Sequence, residues 1–217
     1  MLIAVETGDL VASTSLSEKQ LAKALLALKT NFEKITANEH GSYEIFRGDA
    51  YQIVYFSPKF AFKYAVLTKL FLLSQLDIKV NVSQSIAIDV VNSQISKPSE
   101  NMHSVLVTSG RQLDRGNKGE ILLSSDLITD DFSLANAFLN RLINSLTQKQ
   151  AEALYWYIRL DYPEQQRIAD TLKMTRQNVN THLNRASADL VKNFLYRFEH
   201  NIEQVNTNEA YLKAREN

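Results

Sequence analysis

Two aspartates stand where a carboxylate can meet a cation. Asp9 follows Gly8 at the end of an apolar run, Leu2–Val5. Asp49 follows Gly48 between the segments YEIF and YQIVY, which read as two short strands about a turn. If those strands neighbour each other in one sheet, the two strand ends lie side by side and the carboxylates can share one or two divalent cations. Hard oxygen ligands of this kind suit Mg²⁺ or Mn²⁺, which take one or two carboxylates together with substrate phosphates. The main-chain N–H groups of Val11, Ala12, Ser13 and Thr14, in the segment LVAST, would then be placed to cradle those phosphates. Ordinary turn chemistry is the alternative, because an Asp beside Gly often only accepts a local amide.

A second cluster lies near the end of the chain. The window Thr171–Ala186 holds Lys173, Arg176 and Arg185 and no acidic residue. Thr175 is placed to cap the helix that begins at Arg176. On the exposed side of that helix, Arg176, Gln177, Asn180 and Thr181 are of types that can read base edges: Arg pairs with guanine, Gln or Asn with adenine. Lys173, Asn184 and Arg185 suit phosphates. A merely solvated polar face is the alternative. The histidines His40, His103, His182 and His200 show no ligand spacing.

The composition narrows what else is possible. The chain has 217 residues, 24 Lys+Arg against 24 Asp+Glu, and no cysteine, which excludes disulfides, thiolate zinc sites and cysteine nucleophiles. No apolar run approaches the roughly 20 residues of a membrane span, and Glu6 and Asp9 come too early for a secretory signal. A cytoplasmic protein with no membrane partner is expected. Charge divides weakly, with 13 basic and 15 acidic residues in 1–136 and 11 and 9 in 137–217. All six glycines lie between positions 8 and 119, so the first part is turn-rich and the rest reads as helices on short polar turns.

Stepping along the elements, Ser17 and Gln20 form a capping box before Leu21, Leu25, Leu28, Phe32 and Ile35 at helical spacing. Pro58 opens a helix that is apolar nearly all round from Phe60 to Leu76. Ile78, Val80 and Val82 alternate with polar residues, predicting a strand that continues through IAIDVV. A short helix at VLVTSGRQLD and a strand at EILLSS follow. The order β-α-ββ-α-β is that of a ferredoxin-like sheet with helices on one face. Further on, Ala135, Phe138, Leu139, Leu142, Ile143 and Leu146 form one helical stripe. Thr147 and Gln150 make another capping box, and Ile168, Ala169, Leu172, Met174, Val179 and Leu183 form the small core of two helices at a steep angle. Leu190, Phe194, Leu195 and Phe198 would serve either that core or a dimer contact.

The motifs TGDLVAST and FRGDAYQIVY resemble the two metal motifs of class III nucleotidyl cyclases, and IKVNVSQSIAIDV, VLVTSGRQLDR and GEILLSSD follow in that family's order. GDLVAST, RGDAYQ and SGRQLD together resemble the small bacterial SatD family, whose members are cyclase-like. The resemblance covers about residues 1–126 and implies a Mg²⁺ or Mn²⁺ site at Asp9 and Asp49, with Arg111 as the residue that would stabilise phosphate charge if the domain is active. It departs from the family in three places. Tyr43, Glu44, Ile45 and Phe46 fill the stretch of the base-selecting lysine, Val107 stands where a sugar-positioning asparagine is expected, and Asn81, Ser83 and Ser85 replace the usual glycines of the fourth strand. The helical segment resembles the helix-turn-helix of sigma-factor region four and of LuxR-type response regulators, which implies that its second helix enters the major groove of double-stranded DNA.

The expected organisation is an α+β ferredoxin-like, nucleotide cyclase-like sheet-and-helix domain (1–126), a linker helix (127–146), an all-α helix-turn-helix domain (147–202) and a polar tail (203–217). The expected function is a DNA-binding transcriptional regulator, working as a homodimer, whose cyclase-like domain senses a nucleotide or other phosphorylated ligand with a divalent metal. The alternative is an active metal-dependent nucleotide enzyme, a cyclase or phosphohydrolase, that uses the helical module for dimerisation.

Overall fold

The computed structural model describes residues 1–39, 41–46, 48–92, 95, 97–100, 103–125 and 129–207. Its sheet is built on β1 (Leu2–Leu10), which pairs antiparallel with β3 (Ala50–Tyr55) on one side and β4 (Val82–Val90) on the other. β2 (Ser42–Phe46) lies outside β3, and β5 (Ile121–Ser124) runs parallel to β4, giving the order β2-β3-β1-β4-β5. The mixed sheet-and-helix fold and its β-α-ββ-α-β order are as the sequence pattern implies.

Helices cover both faces of this sheet, not the single face expected. α1 (Glu18–Glu39) and α2 (Ala61–Ser74) lie on one side. α3 (Ser104–Arg115) lies on the other, where Val105 and Leu106 pack with Ile3, Val5, Val54 and Ala87. The reason is visible in β1, whose residues Leu2 to Val5 are apolar without alternation: a strand buried on both faces reads as a continuous apolar run. β4 also begins later than the alternation at Ile78 suggested. It starts at Val82, whose N–H is taken by the Asn81 side chain at 2.9 Å.

The capping box at Ser17 and Gln20 forms, with Ser17 N–H donating to Gln20 Oε1 at 2.9 Å and Gln20 N–H returning to Ser17 Oγ. Ala24, Leu28, Phe32 and Ile35 are the fully buried side of α1. α2 is apolar all round because it is covered twice, by the sheet beneath and by later helices above. α4 (Asp130–Ser145), α5 (Gln148–Arg159), α6 (Gln165–Leu172), α7 (Arg176–Arg185) and α8 (Ala188–Asn206) follow. Phe62 of α2 lies 5.1 Å from Phe194 and 5.3 Å from Phe198 of α8, and Phe71 lies 5.7 Å from Tyr155 of α5. Three of the four apolar residues singled out in α8 thus sit in the core, while Leu190 is 68% exposed.

The buried stripe of α4 is rotated from the one expected. Phe132, Asn136, Leu139, Asn140 and Ile143 face inward, and Phe138 is 69% exposed. The two asparagines explain the rotation, because they cap the outer edge of β5. Ile121 N–H donates to Asn140 Oδ1 at 2.8 Å, and Asn140 Nδ2 donates back to the Ile121 carbonyl at 2.9 Å. Asn136 Nδ2 reaches the same carbonyl at 2.8 Å. The side-chain amides here take the place of a neighbouring strand's peptide groups at Ile121.

α6 ends on Lys173 in the left-handed region (φ 51°), and Thr175 caps α7 by accepting the Asn178 N–H at 3.2 Å. Ile168, Ala169, Val179 and Leu183 are buried between them, and Leu172 and Met174 are half-buried. α8 extends to Asn206, and residues 208–217 of the expected tail lie outside the described residues, as do residues 126–128 at the expected domain boundary.

Candidate functional site

Asp9 and Asp49, forty residues apart in sequence, meet at one end of the sheet. The β1–β3 and β1–β4 registers set Asp9 opposite Ala50 and Ser83. Gly48 supplies a positive φ of 81° for the β2–β3 turn, which delivers Asp49 beside the end of β1. The Leu10 N–H donates to the Asp49 carbonyl at 3.4 Å, and the Ser13 hydroxyl donates to the Asp49 carboxylate. Both aspartates line a cleft of about 510 Å³ together with Thr7, Gln52, Ser83 and Lys118. α3 forms the opposite wall through Gly110, Leu113 and Asp114.

The electrostatics of this end are unbalanced. Partial burial pushes the Asp9 carboxyl above its ordinary range, and the Asp49 charge beside it pushes the same way. Lys118 and the Leu10 N–H pull it back. Among the described residues that line the cleft, Asp9, Asp49 and Asp114 stand against one lysine, Lys118, which leaves negative charge for which a cation is the natural partner. Their donor atoms are hard oxygens, and the fit to Mg²⁺ or Mn²⁺ is to a site in which the protein gives two carboxylates and a ligand gives phosphate oxygens. Among the described residues no group of three or more His, Cys, Asp or Glu gathers to hold a metal ion.

Val11, Ala12, Ser13 and Thr14, where the amide cradle is expected, are not among the residues that line the cleft, although Ser13 bonds one that is. The Val11 N–H is committed to the Asn81 carbonyl at 2.9 Å. Ala12 adopts the left-handed conformation (φ 55°) and Ser13–Ser15 form one short helical turn. The leading N–H groups of such a turn, at Ser13 and Thr14, have no carbonyl behind them within it.

Behind the cleft, polar groups fasten its walls. Thr7 Oγ1 and Ser109 Oγ are 2.7 Å apart, and Gln52 Nε2 donates to Thr7 at 2.9 Å and to the Leu106 carbonyl at 3.1 Å, pinning α3 to the sheet. Glu6 is fully buried and accepts from Tyr51 (2.7 Å), Tyr55 (2.6 Å) and Gln84 (2.8 Å). Burial pushes the Glu6 carboxyl up, although the three donors oppose the shift. The ring of Tyr51 lies across Gly8, where a Cβ would come within 2.2 Å of it, so Gly8 makes room for the ring beneath Asp9.

Arg111 is exposed on α3 and is not among the residues that line the cleft. Among the described residues, Lys118 is the cationic side chain that does line it, and the sequence alone did not single it out. Its one signal was position: it stands between Gly116 and Gly119 in the short link from α3 to β5, where the backbone turns tightly.

The α7 face is a different kind of surface. Lys173, Thr175, Arg176, Gln177, Asn184 and Arg185 are exposed, and Asn180 and Thr181 are half-buried. Asn180 Oδ1 accepts from Gln165 Nε2 at 2.9 Å, and the Thr181 hydroxyl donates to the Gln177 carbonyl at 3.0 Å. His182 is half-buried on the same helix, and its Nδ1 has no partner among the described residues. No helix among the described residues is long and apolar enough to cross a membrane.

No protein-family model matches the chain, and no curated protein matches it. Among solved structures it is similar to the catalytic core of a rhodopsin-guanylyl cyclase with converted specificity in complex with ATPαS, at 16% identity over 57% of this chain and 77% of that one, with a TM-score of 0.43. It is similar to the guanylyl cyclase Cya2 at 17% identity over 63% and 78% (TM-score 0.43). It is also similar to the adenylyl cyclase CyaB from P. aeruginosa at 16% identity over 58% and 77% (TM-score 0.43). Likeness at this level assigns no activity to the chain.

Proposed function

We propose that the protein is a DNA-binding regulator whose cleft senses a nucleotide or related phosphorylated ligand together with Mg²⁺ or Mn²⁺. The observation that carries the cleft part is the meeting of Asp9 and Asp49 beside Lys118, next to a turn with leading N–H groups. In this reading Asp9 and Asp49 hold the cation, which would neutralise phosphate charge. Lys118 and the amides around Ser13 and Thr14 bind phosphate oxygens, and Ser13 keeps Asp49 oriented through its hydroxyl. Binding without turnover is the better reading, because Arg111 stands outside the cleft lining and Val107 offers no group to orient a sugar.

The helical part treats α6, its turn and α7 as a helix-turn-helix. Arg176, Gln177, Asn180 and Thr181 would face base edges, with Lys173, Thr175, Asn184 and Arg185 on phosphates. The absence of acidic residues from Thr171 to Ala186 supports it. A small positive excess gives weak sequence-independent affinity, so two copies on two half-sites are part of the proposal. Ligand binding changes DNA affinity only if it favours one arrangement of the copies over another.

The test exposes purified protein to ATP, GTP, CTP and UTP with Mn²⁺, beside Asp49→Asn, following thermal stability and products by chromatography. Stabilisation by at least one nucleotide without product, lost in the variant, is the expected result. Product formed by the wild type alone would make it a metal-dependent nucleotide enzyme. No effect of any nucleotide would leave the aspartates as turn residues. The DNA half fails if selection from random duplexes enriches no sequence.

A further inference from the structure

Lys69 is the least expected buried residue in the molecule. It lies on the apolar helix α2, is 0% exposed, and turns its ammonium inward instead of snorkelling to water. Three acceptors meet its three protons: Asn81 Oδ1 at 2.6 Å, the Val82 carbonyl at 3.0 Å and the Gly119 carbonyl at 2.7 Å. The orientation of Asn81 is fixed independently, because the same Oδ1 accepts the Val82 N–H at 2.9 Å. Burying an ammonium is costly even when it is hydrogen-bonded, and a Met of similar length would fill the space without that cost. What the ammonium adds is a fixed relation between two segments, Asn81–Val82 and Gly119.

Those pieces border the cleft. The Asn81 carbonyl accepts the Val11 N–H at 2.9 Å, which holds the turn that follows Asp9. Gly119 directly follows Lys118, and its N–H donates at 2.9 Å to the hydroxyl of Ser83, itself a cleft residue. The Gly119 carbonyl accepts a second bond, from Asn144 Nδ2 of α4 at 2.8 Å. Gly119 needs its positive φ of 77°, and a Cβ there would come within 2.6 Å of Asn81 Nδ2, so the packing is close on both sides. Lys69 itself does not line the cleft.

We propose that Lys69 is a positioning residue of the cleft: through Gly119 it sets Lys118, and through Asn81 it sets the Val11 turn, so that the phosphate-binding groups stand ready on both sides of the two carboxylates. Asn144 shares the Gly119 carbonyl and gives α4 a hold on the same segment. This inference rests on the reading of the cleft as a metal and phosphate site.

Calorimetric titration of the full chain with Mn²⁺ alone, and with Mn²⁺ plus inorganic tripolyphosphate, tests it in wild type, Lys69→Met and Asn144→Ala. The expected result is that Lys69→Met weakens tripolyphosphate binding about tenfold, while Mn²⁺ alone stays within about twofold, because a shifted binding group loses affinity without touching the carboxylates. Asn144→Ala is expected to weaken tripolyphosphate about threefold. Wild type that binds Mn²⁺ but no tripolyphosphate, or neither, overturns the cleft reading and this inference with it. Wild type that binds both, with both variants within about twofold of it, overturns the positioning role alone. Parallel loss of Mn²⁺ and tripolyphosphate in Lys69→Met also overturns that role, since it marks a general loss of structure. If Lys69→Met does not fold, Asn144→Ala decides, and binding unchanged in it overturns the proposal.

Discussion

The cleft and the α7 face are both polar, but they are built in opposite ways. The cleft draws on β1, the β2–β3 turn, β4, α3 and the link before β5, and Glu6, Thr7, Gln52 and Lys69 behind it are tied to other segments by hydrogen bonds. The α7 face comes from one helix of ten residues and the turn before it, and leaves most of its polar groups to solvent. A site assembled from distant segments is rigid and sensitive to its supports. A site on one helix depends on little beyond that helix being held. Substitutions in the two regions should therefore separate stability from binding in different ways.

The largest effect is expected where the cleft's support has no slack. Gly8→Ala forces a Cβ to within 2.2 Å of the Tyr51 ring, and overpacking of this kind should lower the unfolding free energy by about 3 kcal/mol or more. Chemical denaturation measures it, and a loss under about 1 kcal/mol would show that the strand accommodates the clash. Asp49→Asn comes next. It should reduce Mn²⁺-dependent nucleotide binding about a hundredfold or more, while the ligand-free protein melts no lower than wild type because Asp9 loses a like charge beside it.

Asn140→Leu tests the side chain that stands in for a strand. It leaves the Ile121 N–H buried without its acceptor, at a cost of about 1–3 kcal/mol. An unchanged denaturation midpoint would mean that water reaches the edge of β5. On the other side of the comparison, Arg176→Ala should weaken binding to a selected duplex by about 1–3 kcal/mol with the melting temperature unchanged. A drop in stability instead would show that α7 is not the independent surface described.

The smallest effect concerns pH. Burial pulls the Lys69 ammonium down to about 7, with Glu120 opposing and Lys79 assisting the shift. Between that value and the unfolded lysine value near 10.5, the unfolded chain binds the extra proton, so this group makes stability rise with pH. From pH 7 to 8 the contribution should be under about 1.4 kcal/mol, and comparing the pH slopes of wild type and Lys69→Met checks it. Equal slopes would mean that the three acceptors keep the proton on Lys69 throughout.

Much of the local structure was legible because its causes are local. The capping boxes at Ser17–Gln20 and Thr147–Gln150 lie three residues apart, and both form. The spacing of Ile168, Ala169, Val179 and Leu183 announced two helices sharing a small core. Asp9 and Asp49 could be picked out because each follows a glycine, Asp9 near the end of β1 and Asp49 in the β2–β3 turn, and the strand order that joins them could be read from the element order. The α4 stripe was misread because a helical pattern of apolar residues gives no weight to Asn136 and Asn140, which are buried only because β5 offers an unpaired edge. Lys69 was passed over for a similar reason, since no neighbour in sequence marks it, and Lys118 had only the flanking Gly116 and Gly119 to mark it.

By itself, then, the sequence determined the elements, their caps and turns, and the residue types available for chemistry, because propensity, periodicity and glycine conformation act over a few residues. Tertiary structure alone decided that Lys118 faces the two carboxylates and why an ammonium lies in an apolar helix. Those outcomes depend on strand register and on hydrogen bonds between segments tens of residues apart, and a buried charge is tolerable only once every acceptor around it has been brought into place.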